Sequence, residues 1–472
     1  MSWNVVIAGG GFGGFYAART LERVLPPHSA RITLVNDVNF MLYTPLLPGA
    51  AGGTLEPRHV VVPLREELRT TELRVGSVLG ADPDRDKLLV APLEADPVEL
   101  DYDHLIVALG SVSRALPIPG LSEHATGFKT LPEAIALRNR LLRTLEVADS
   151  LDRPEDRQAY LTYVFVGAGY AGVEGLAELQ DLAADVIDRY PRARLQGMRW
   201  VLIEARDRIM TEVSARLSDF AVRELMARGI EVRTGTTIAE LDASGVRLST
   251  GEVIPTRMVV WTAGVEPHPA VARLGLPLGT GGRIRVDRFM RVEGHPRVWA
   301  IGDAAAVPDP SDLQRPSPPT AQHAIRQGRR VADNVAAALG SGRARPFRYR
   351  TLGVFVDLGR HKAVATTLGI RWRGFPAWLL ARTYHLAMMP GLKRKLRLLT
   401  DWNVGLLFGR DSSELGQLGH PARLGETLDV VSSGGTALAA GGDGAPPATE
   451  AAGAPPGAGA EEPGRARILD PG

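Results

Sequence analysis

Asn4-Val5-Val6-Ile7-Ala8-Gly9-Gly10-Gly11-Phe12-Gly13-Gly14 decides how the chain is read. Val5 to Ala8 are small and apolar without interruption, the pattern of a strand buried on both faces in a parallel sheet. The glycines come at once, as Gly9-x-Gly11-x-x-Gly14, and Phe15 to Leu25 reads as a helix. In a strand–loop–helix unit each glycine has its own task. Gly9 allows the tight turn, Gly11 keeps side-chain atoms away from a pyrophosphate, and Gly14 lets helix and strand pack closely. The helix start then offers unspent N–H groups to the phosphates.

The unit occurs twice. Tyr163 to Val166 is a second strand, Gly167-Ala168-Gly169-Tyr170-Ala171-Gly172 a second loop, and Val173 to Arg189 a second helix. Two such loops in one chain imply two dinucleotides. An acid at the end of the next strand usually binds the ribose. After the first loop that place, at the end of Arg31 to Asn36, is held by Asn36, which can hydrogen-bond but carries no charge. After the second it is held by Glu204, at the end of Trp200 to Glu204. A carboxylate there suits a ribose 2′-hydroxyl and repels a 2′-phosphate, which favours NADH over NADPH, although Arg206 and Arg208 stand close by in sequence.

Composition narrows the function further. A chain of 472 residues calls for two or three domains. A formal net charge of +2 gives no reason to expect nucleic acid, and the absence of cysteine excludes thiolate metal sites and redox disulfides. No metal site is expected. The chain passes from Met1 almost directly into a strand, and no apolar run reaches the roughly 18 residues that span a bilayer. The expected location is therefore cytoplasmic, with any membrane contact made from the surface.

The loop Asn39-Phe40-Met41-Leu42-Tyr43-Thr44-Pro45-Leu46-Leu47-Pro48, followed by Gly52-Gly53-Thr54-Leu55-Glu56-Pro57, is apolar and proline-rich without periodicity. Together with the first glycine loop it resembles the type II NADH dehydrogenases, the non-pumping NADH:quinone oxidoreductases. The resemblance runs over about residues 1 to 420. It implies an α/β fold of two Rossmann-like dinucleotide-binding domains in a glutathione-reductase-like arrangement, with a C-terminal membrane-surface segment. The FAD domain is expected at 1–115 and again at 285–340, with an NADH domain at 116–284 between them. Strands and anchor helices are expected at 341–428, and a disordered tail without aromatic residues at 429–472.

The resemblance also assigns residues. Thr44 and Pro45 lie in the flavin loop, and Val78 in the segment whose backbone meets the adenine. Gly110 and Gly264 end the closing strands of the two halves. Asp303, with Ala304 beside it, looks like the carboxylate that holds the ribityl chain, although an Asp here would also suit a helix N-cap. Glu174 is expected beside the flavin–nicotinamide stack, although so early in a helix it could simply complement the dipole. Glu178 is read as structural. Gln322, in Pro318-Pro319-Thr320-Ala321-Gln322-His323-Ala324-Ile325-Arg326-Gln327-Gly328, matches the quinone-site motif of the family, with Arg326 where a Gln is common and His323 read as a packing residue.

Residues 371 to 400 hold seven Lys or Arg and no Asp or Glu, together with Trp372, Phe375, Trp378 and Tyr384. Cations, interfacial aromatics and leucines suit a helix lying in the membrane plane. The expected partners are a menaquinone- or ubiquinone-type quinone and the inner face of the cytoplasmic membrane, the latter through about 370–400. A dimer interface is the other use of such a face, and a homodimer is compatible with it. The expected activity is hydride transfer from NADH to FAD and of two electrons onward to quinone. A soluble NAD(P)H oxidase, a ferredoxin-type reductase or a non-catalytic NADH-sensing flavoprotein could use the same frame.

Overall fold

The computed structural model describes residues 2–349, 351 and 353–416, with backbone alone at 313–314. The stretch 429–472 lies outside them.

Two parallel sheets organise the described chain. Across the larger one the strands run Arg291–Val292, His295–Ala300, His104–Val107, Trp3–Ala8, Ala30–Asn36, Glu72–Asp82, Lys87–Pro92, Val98–Asp101. The central pairings are parallel, and antiparallel strands close both edges. Val5, Ile7 and Ala8 are fully buried, as the uninterrupted apolar run predicts. Ala8 pairs with Val107, and Val107 with Ala300, so three neighbouring strands end at one level. The residues just beyond these ends are Gly9, Gly110 and Gly302-Asp303, which therefore gather at the carboxyl edge of the sheet, where α/β sheets bind ligands. His295–Ala300 returns to this sheet only after the second has been built, so the larger sheet is discontinuous in sequence.

The second sheet runs Ala125–Gly127, Met258–Trp261, Thr162–Val166, Arg199–Ile203, Ile230–Arg233 and is parallel throughout. Val166 pairs with both Ile203 and Trp261. Gly167, Glu204 and Gly264 follow those strand ends in the same way.

Capping chemistry divides the helices into two kinds. Leu131–Ser150 satisfies its own start with a capping box, Thr130 accepting from Glu133 and Glu133 reaching back. Phe12–Val24 and Tyr170–Val186 start at Gly11 and Gly169, with no side-chain cap and no acid in the first turn. Their first N–H groups are left for something else.

A three-stranded antiparallel sheet, Gly353–Asp357, Ala363–Thr367 and Ile370–Gly374, leads into the helices Phe375–Met388 and Leu392–Phe408. The stretch 370–400 expected at the membrane therefore opens with a strand, Ile370–Gly374, that completes the sheet, and its helices begin at Phe375. The aromatic residues there also divide. Trp378 is buried against Ala363 and Ala365, whose small side chains make room for it. Tyr384 stacks on Phe355 at 4.9 Å, and Arg394 turns inward to donate to the Arg58 carbonyl. What faces outward is Phe375, Leu379, Leu392, Leu396 and, beyond residue 400, Leu407 and Phe408, the last 82% exposed. Among the described residues no helix is long and apolar enough to cross a membrane.

Candidate active site

The two glycine loops are built to the same pattern. Gly9 has φ +105° and Gly167 has φ +100°, a region that side chains avoid. A Cβ on Gly14 would overlap the Gly9 carbonyl oxygen, and one on Gly172 the Gly167 carbonyl oxygen. At Gly11 and Gly169 a Cβ would meet nothing within 4 Å. Two glycines of each triplet are thus demanded by the protein itself. The middle one borders open space, where a pyrophosphate would need the backbone bare.

Each loop is held by the residue that ends the next strand. Asn36 Oδ1 accepts from Gly10 N at 2.7 Å, while its Nδ2 donates to the Val38 carbonyl at 2.8 Å. Glu204 Oε2 accepts from Ala168 N at 2.8 Å, and its Oε1 accepts from Arg206 N at 3.0 Å. Asn36 therefore fills the place usually held by an acid, using its amide oxygen as the acceptor. Arg206 and Arg208 are both engaged locally: Arg206 bonds Thr211, and Arg208 donates to the carbonyls of Thr211 and Val213.

On the larger sheet, Gly110 takes φ +70° and Gly302 φ +69°, and Gln327 Oε1 accepts from Gly302 N at 2.7 Å. Asp303 does not cap a helix. It sits in the short turn Gly302–Ala304, which runs on into strand, and its Oδ2 accepts from Ser111 Oγ at 2.6 Å. Ala304 is fully buried beneath it. Lys129 Nζ donates to the same Ser111 Oγ at 2.7 Å and lies 4.0 Å from Asp303. Burial lowers the Lys129 pKa, and the Asp303 and Glu133 charges oppose that shift. Thr44 and Pro45 form one turn of tight helix, Thr44–Leu46. Val78 is buried in the core of the larger sheet, opposite Val90.

Glu174 lies one turn inside its helix, beyond the reach of a dipole-complementing first-turn acid. Its Oε1 accepts from Asp357 N at 3.0 Å. Burial pushes its pKa up to about 8, with the Asp357 and Glu178 charges adding to the rise. Asp357 is raised for the same reason, burial first and the Glu178 charge next. Glu178 pairs with Arg410 at 3.1 Å, a structural use in keeping with its reading. Gln322 is also held at both ends of its amide: Nε2 donates to the Gly353 carbonyl at 2.9 Å, and Oε1 accepts from Tyr349 at 2.7 Å. His323 is buried, bonded to Thr320 and edge-on to Tyr349.

The model of the pyridine nucleotide-disulphide oxidoreductase family matches residues 3–328. A type II NADH:quinone oxidoreductase of Mycobacterium tuberculosis is 31% identical over 434 residues, spanning 88% of this chain and 89% of that protein. The chain belongs to the type II NADH:quinone oxidoreductase family. A probable NADH dehydrogenase of Dictyostelium discoideum is 29% identical over 418 residues, spanning 87% of this chain and 91% of that protein. Among solved structures, NDH2 from Plasmodium falciparum in complex with NADH superposes with a TM-score of 0.82 at 18% identity, covering 88% of this chain and 100% of that one. This likeness is one of fold. With no cysteine, this type II oxidoreductase has no counterpart to the disulphide in the family description.

Sequence reasoning missed several residues that the fold gathers around the candidate site of this type II oxidoreductase. Ser111 reaches Asp303 because His104–Val107 and His295–Ala300, far apart in sequence, are neighbours in the larger sheet, and Lys129 joins them from beyond Ala125–Gly127 of the second sheet. The one local signal was Lys129 standing just before the Thr130 cap. Tyr43 and His385 also come together, Tyr43 Oη lying 3.5 Å from His385 Nδ1, with Phe12 edge-on to Tyr43. Burial drives the His385 pKa down to about 4, so the ring is neutral at pH 7. With Tyr384 and Phe355 it forms an aromatic wall whose members were scattered over the sequence.

Proposed function

We propose that this chain passes two electrons from NADH to a menaquinone- or ubiquinone-type quinone, with FAD as the resident carrier. The observation that carries the reading is the pair of glycine clamps, each with bare backbone at its middle glycine. The M. tuberculosis relative is named for the same donor and acceptor class. FAD, when bound, supplies a centre that takes a hydride and gives up electrons. The residues that would hold it are Gly9, Gly11, Gly14 and Asn36 at the pyrophosphate end, and Gly110, Asp303 and Ala304 nearer the ring. Thr44, Pro45 and the Val78 backbone would flank it. The larger sheet, assembled from 1–115 and 285–340, is the FAD domain in this reading, and 116–284 the NADH domain.

Gly167, Gly169, Gly172 and Gly264 receive NADH, with Glu204 on the adenosine ribose. Arg206 and Arg208 are occupied with Thr211 and Val213, which supports the preference for NADH over NADPH. Glu174 is mostly protonated at neutral pH. With Oε1 held by Asp357, its Oε2 is the atom left to carry the proton and orient the nicotinamide. Gln322 spends one amide hydrogen on Gly353 and keeps the other for a quinone carbonyl. The aromatic wall of Tyr43, Phe355, Tyr384 and His385 keeps water from that end.

The outward stripe of Leu392, Leu396 and Leu407, with the cations around it, supports peripheral attachment to the inner face of the cytoplasmic membrane. A soluble oxidase needs no such stripe. The reading includes no proton pumping. It is tested by purifying the protein and assaying NADH oxidation with menaquinone and ubiquinone analogues and with oxygen alone. Yellow protein with stoichiometric FAD and a quinone-dependent rate is expected. Colourless protein that takes up no FAD, or a rate unchanged by quinone, overturns it.

A further inference from the structure

A cavity of about 620 Å³ opens where the first glycine-loop helix, the helix Ala321–Ala338 and the turn between the last two helices meet. Arg19, Arg23, Arg329 and Lys395 line it, together with Tyr16 and Leu392, and no acidic residue does. Among the described residues none of Arg19, Arg23 and Arg329 has a carboxylate partner. Arg329 lies over the Tyr16 ring at 4.9 Å, and Lys395 Nζ donates to the Ala387 carbonyl at 2.9 Å. Glu22, the acid on the same helix as Arg19 and Arg23, spends its carboxylate on the backbone N–H groups of Arg69, Thr70 and Thr71. Glu67 stands at the rim, beside Gly391. Four cations line the cavity against the one carboxylate at its rim, and like charges repel, so an anion of matching size is the ligand the cavity favours.

The surroundings decide which anion. Leu392 lines the cavity and begins the stripe that continues through Leu396 and Leu399, at spacings of four and three residues on one helix face. Leu392 is 73% exposed and Leu396 56%. Cations in a recess beside outward leucines match a molecule with an anionic head and apolar chains. We propose that this cavity is a specific site for the phosphate of an anionic phospholipid headgroup, whose acyl chains run along the Leu392–Leu399 stripe. This rests on the reading of peripheral membrane attachment and adds to it a discrete lipid site, shared with the helix that carries the first glycine loop.

The test uses the FAD-loaded full chain and two measurements. In the first, melting is followed by flavin fluorescence with dihexanoyl phosphatidylglycerol below its micellar concentration, with dihexanoyl phosphatidylcholine, or with inorganic phosphate. In the second, flotation with vesicles of phosphatidylcholine, with and without phosphatidylglycerol, reports attachment by itself. The short anionic lipid is expected to raise the melting temperature, and the neutral lipid to leave it in place. Arg19→Gln/Arg23→Gln/Arg329→Gln should abolish the rise and weaken anionic vesicle binding about fivefold per cation removed. Arg371→Gln/Lys393→Gln/Arg397→Gln, equal in charge and outside the cavity, should keep the rise. Equal stabilisation by inorganic phosphate overturns the lipid assignment, and loss of the rise in both triple variants overturns the site. Flotation without any lipid-specific melting shift leaves attachment standing and removes the cavity from it. No flotation with either vesicle fails the attachment reading itself.

Discussion

Gln322 and Glu174 are tied to opposite ends of one strand. Gln322 Nε2 donates to the carbonyl of Gly353, the first residue of Gly353–Asp357, and the N–H of Asp357, the last, donates to Glu174. A strand advances about 3.3 Å per residue, so the two tethers stand roughly 13 Å apart. The proposed quinone end and the proposed nicotinamide end are thereby fixed relative to each other by paired backbone, not by loops. Neither side chain can shift without breaking a bond to a strand that is also paired to Ala363–Thr367.

Titration of Glu174 should be visible in stability. Burial raises its pKa from 4.5 to about 8. Between those values the folded state holds a proton that the unfolded chain has released, so stability falls as pH rises through that window. Glu174→Gln has no proton to lose. Its melting temperature relative to the parent should improve steadily from pH 5 to pH 8, read by flavin fluorescence. Parallel curves would show that burial does not hold the proton there.

The two clamps should fail independently. In Gly14→Ala the new Cβ meets the Gly9 carbonyl, and in Gly172→Ala it meets that of Gly167. The first variant should lose most of its FAD, measured as flavin absorbance per protein. The second should stay yellow but lose NADH oxidation by tenfold or more. A colourless Gly172→Ala protein would show that the two sites are not separate.

Glu204 has a double task in the proposed reading. Glu204→Ala removes the partner of Ala168 N and, in the proposed reading, the ribose acceptor as well, so KM for NADH should rise at least tenfold, the scale of a hydrogen bond to a charged group. KM for NADPH should rise less, because a repulsion is lost along with the contact. Steady-state kinetics with both donors decide it, and equal increases would remove Glu204 from the ribose.

Lys129 compensates a carboxylate that Ser111 alone would hold. Lys129→Met leaves Asp303 with the hydroxyl and no cation. Charge-assisted hydrogen bonds contribute about 1.5–3 kcal/mol, so FAD binding should weaken roughly 10- to 100-fold. Titration of the apoprotein with FAD measures it, and unchanged affinity would mean that Lys129 only packs.

The two clamps were legible because everything they need lies within a short window. Continuous apolarity marks Val5–Ala8 and Tyr163–Val166, and the positive φ of Gly9 and Gly167 demands glycine at those points. Asn36 and Glu204 were placed by their position at the end of the next strand, a signal equally local. The C-terminal segment was read less well. Composition reports how many cations and aromatics it holds but not which way they face. Pairing of Ile370–Gly374 with Ala363–Thr367 sends the following helix across the sheet, and this turns Trp378 and Tyr384 inward while leaving Phe375 and Leu379 outside.

The amino-acid sequence by itself determined two dinucleotide clamps, their order and the residue that closes each, because turn geometry and strand burial are local demands on neighbouring residues. Tertiary structure alone decided that His295–Ala300 lies beside His104–Val107, that Lys129 reaches Asp303, and that one strand joins Gln322 to Glu174. Those relationships depend on which distant strands pair. Nothing within a short window of sequence records that, because the free energy that selects the pairing comes from burying whole sheet faces at once.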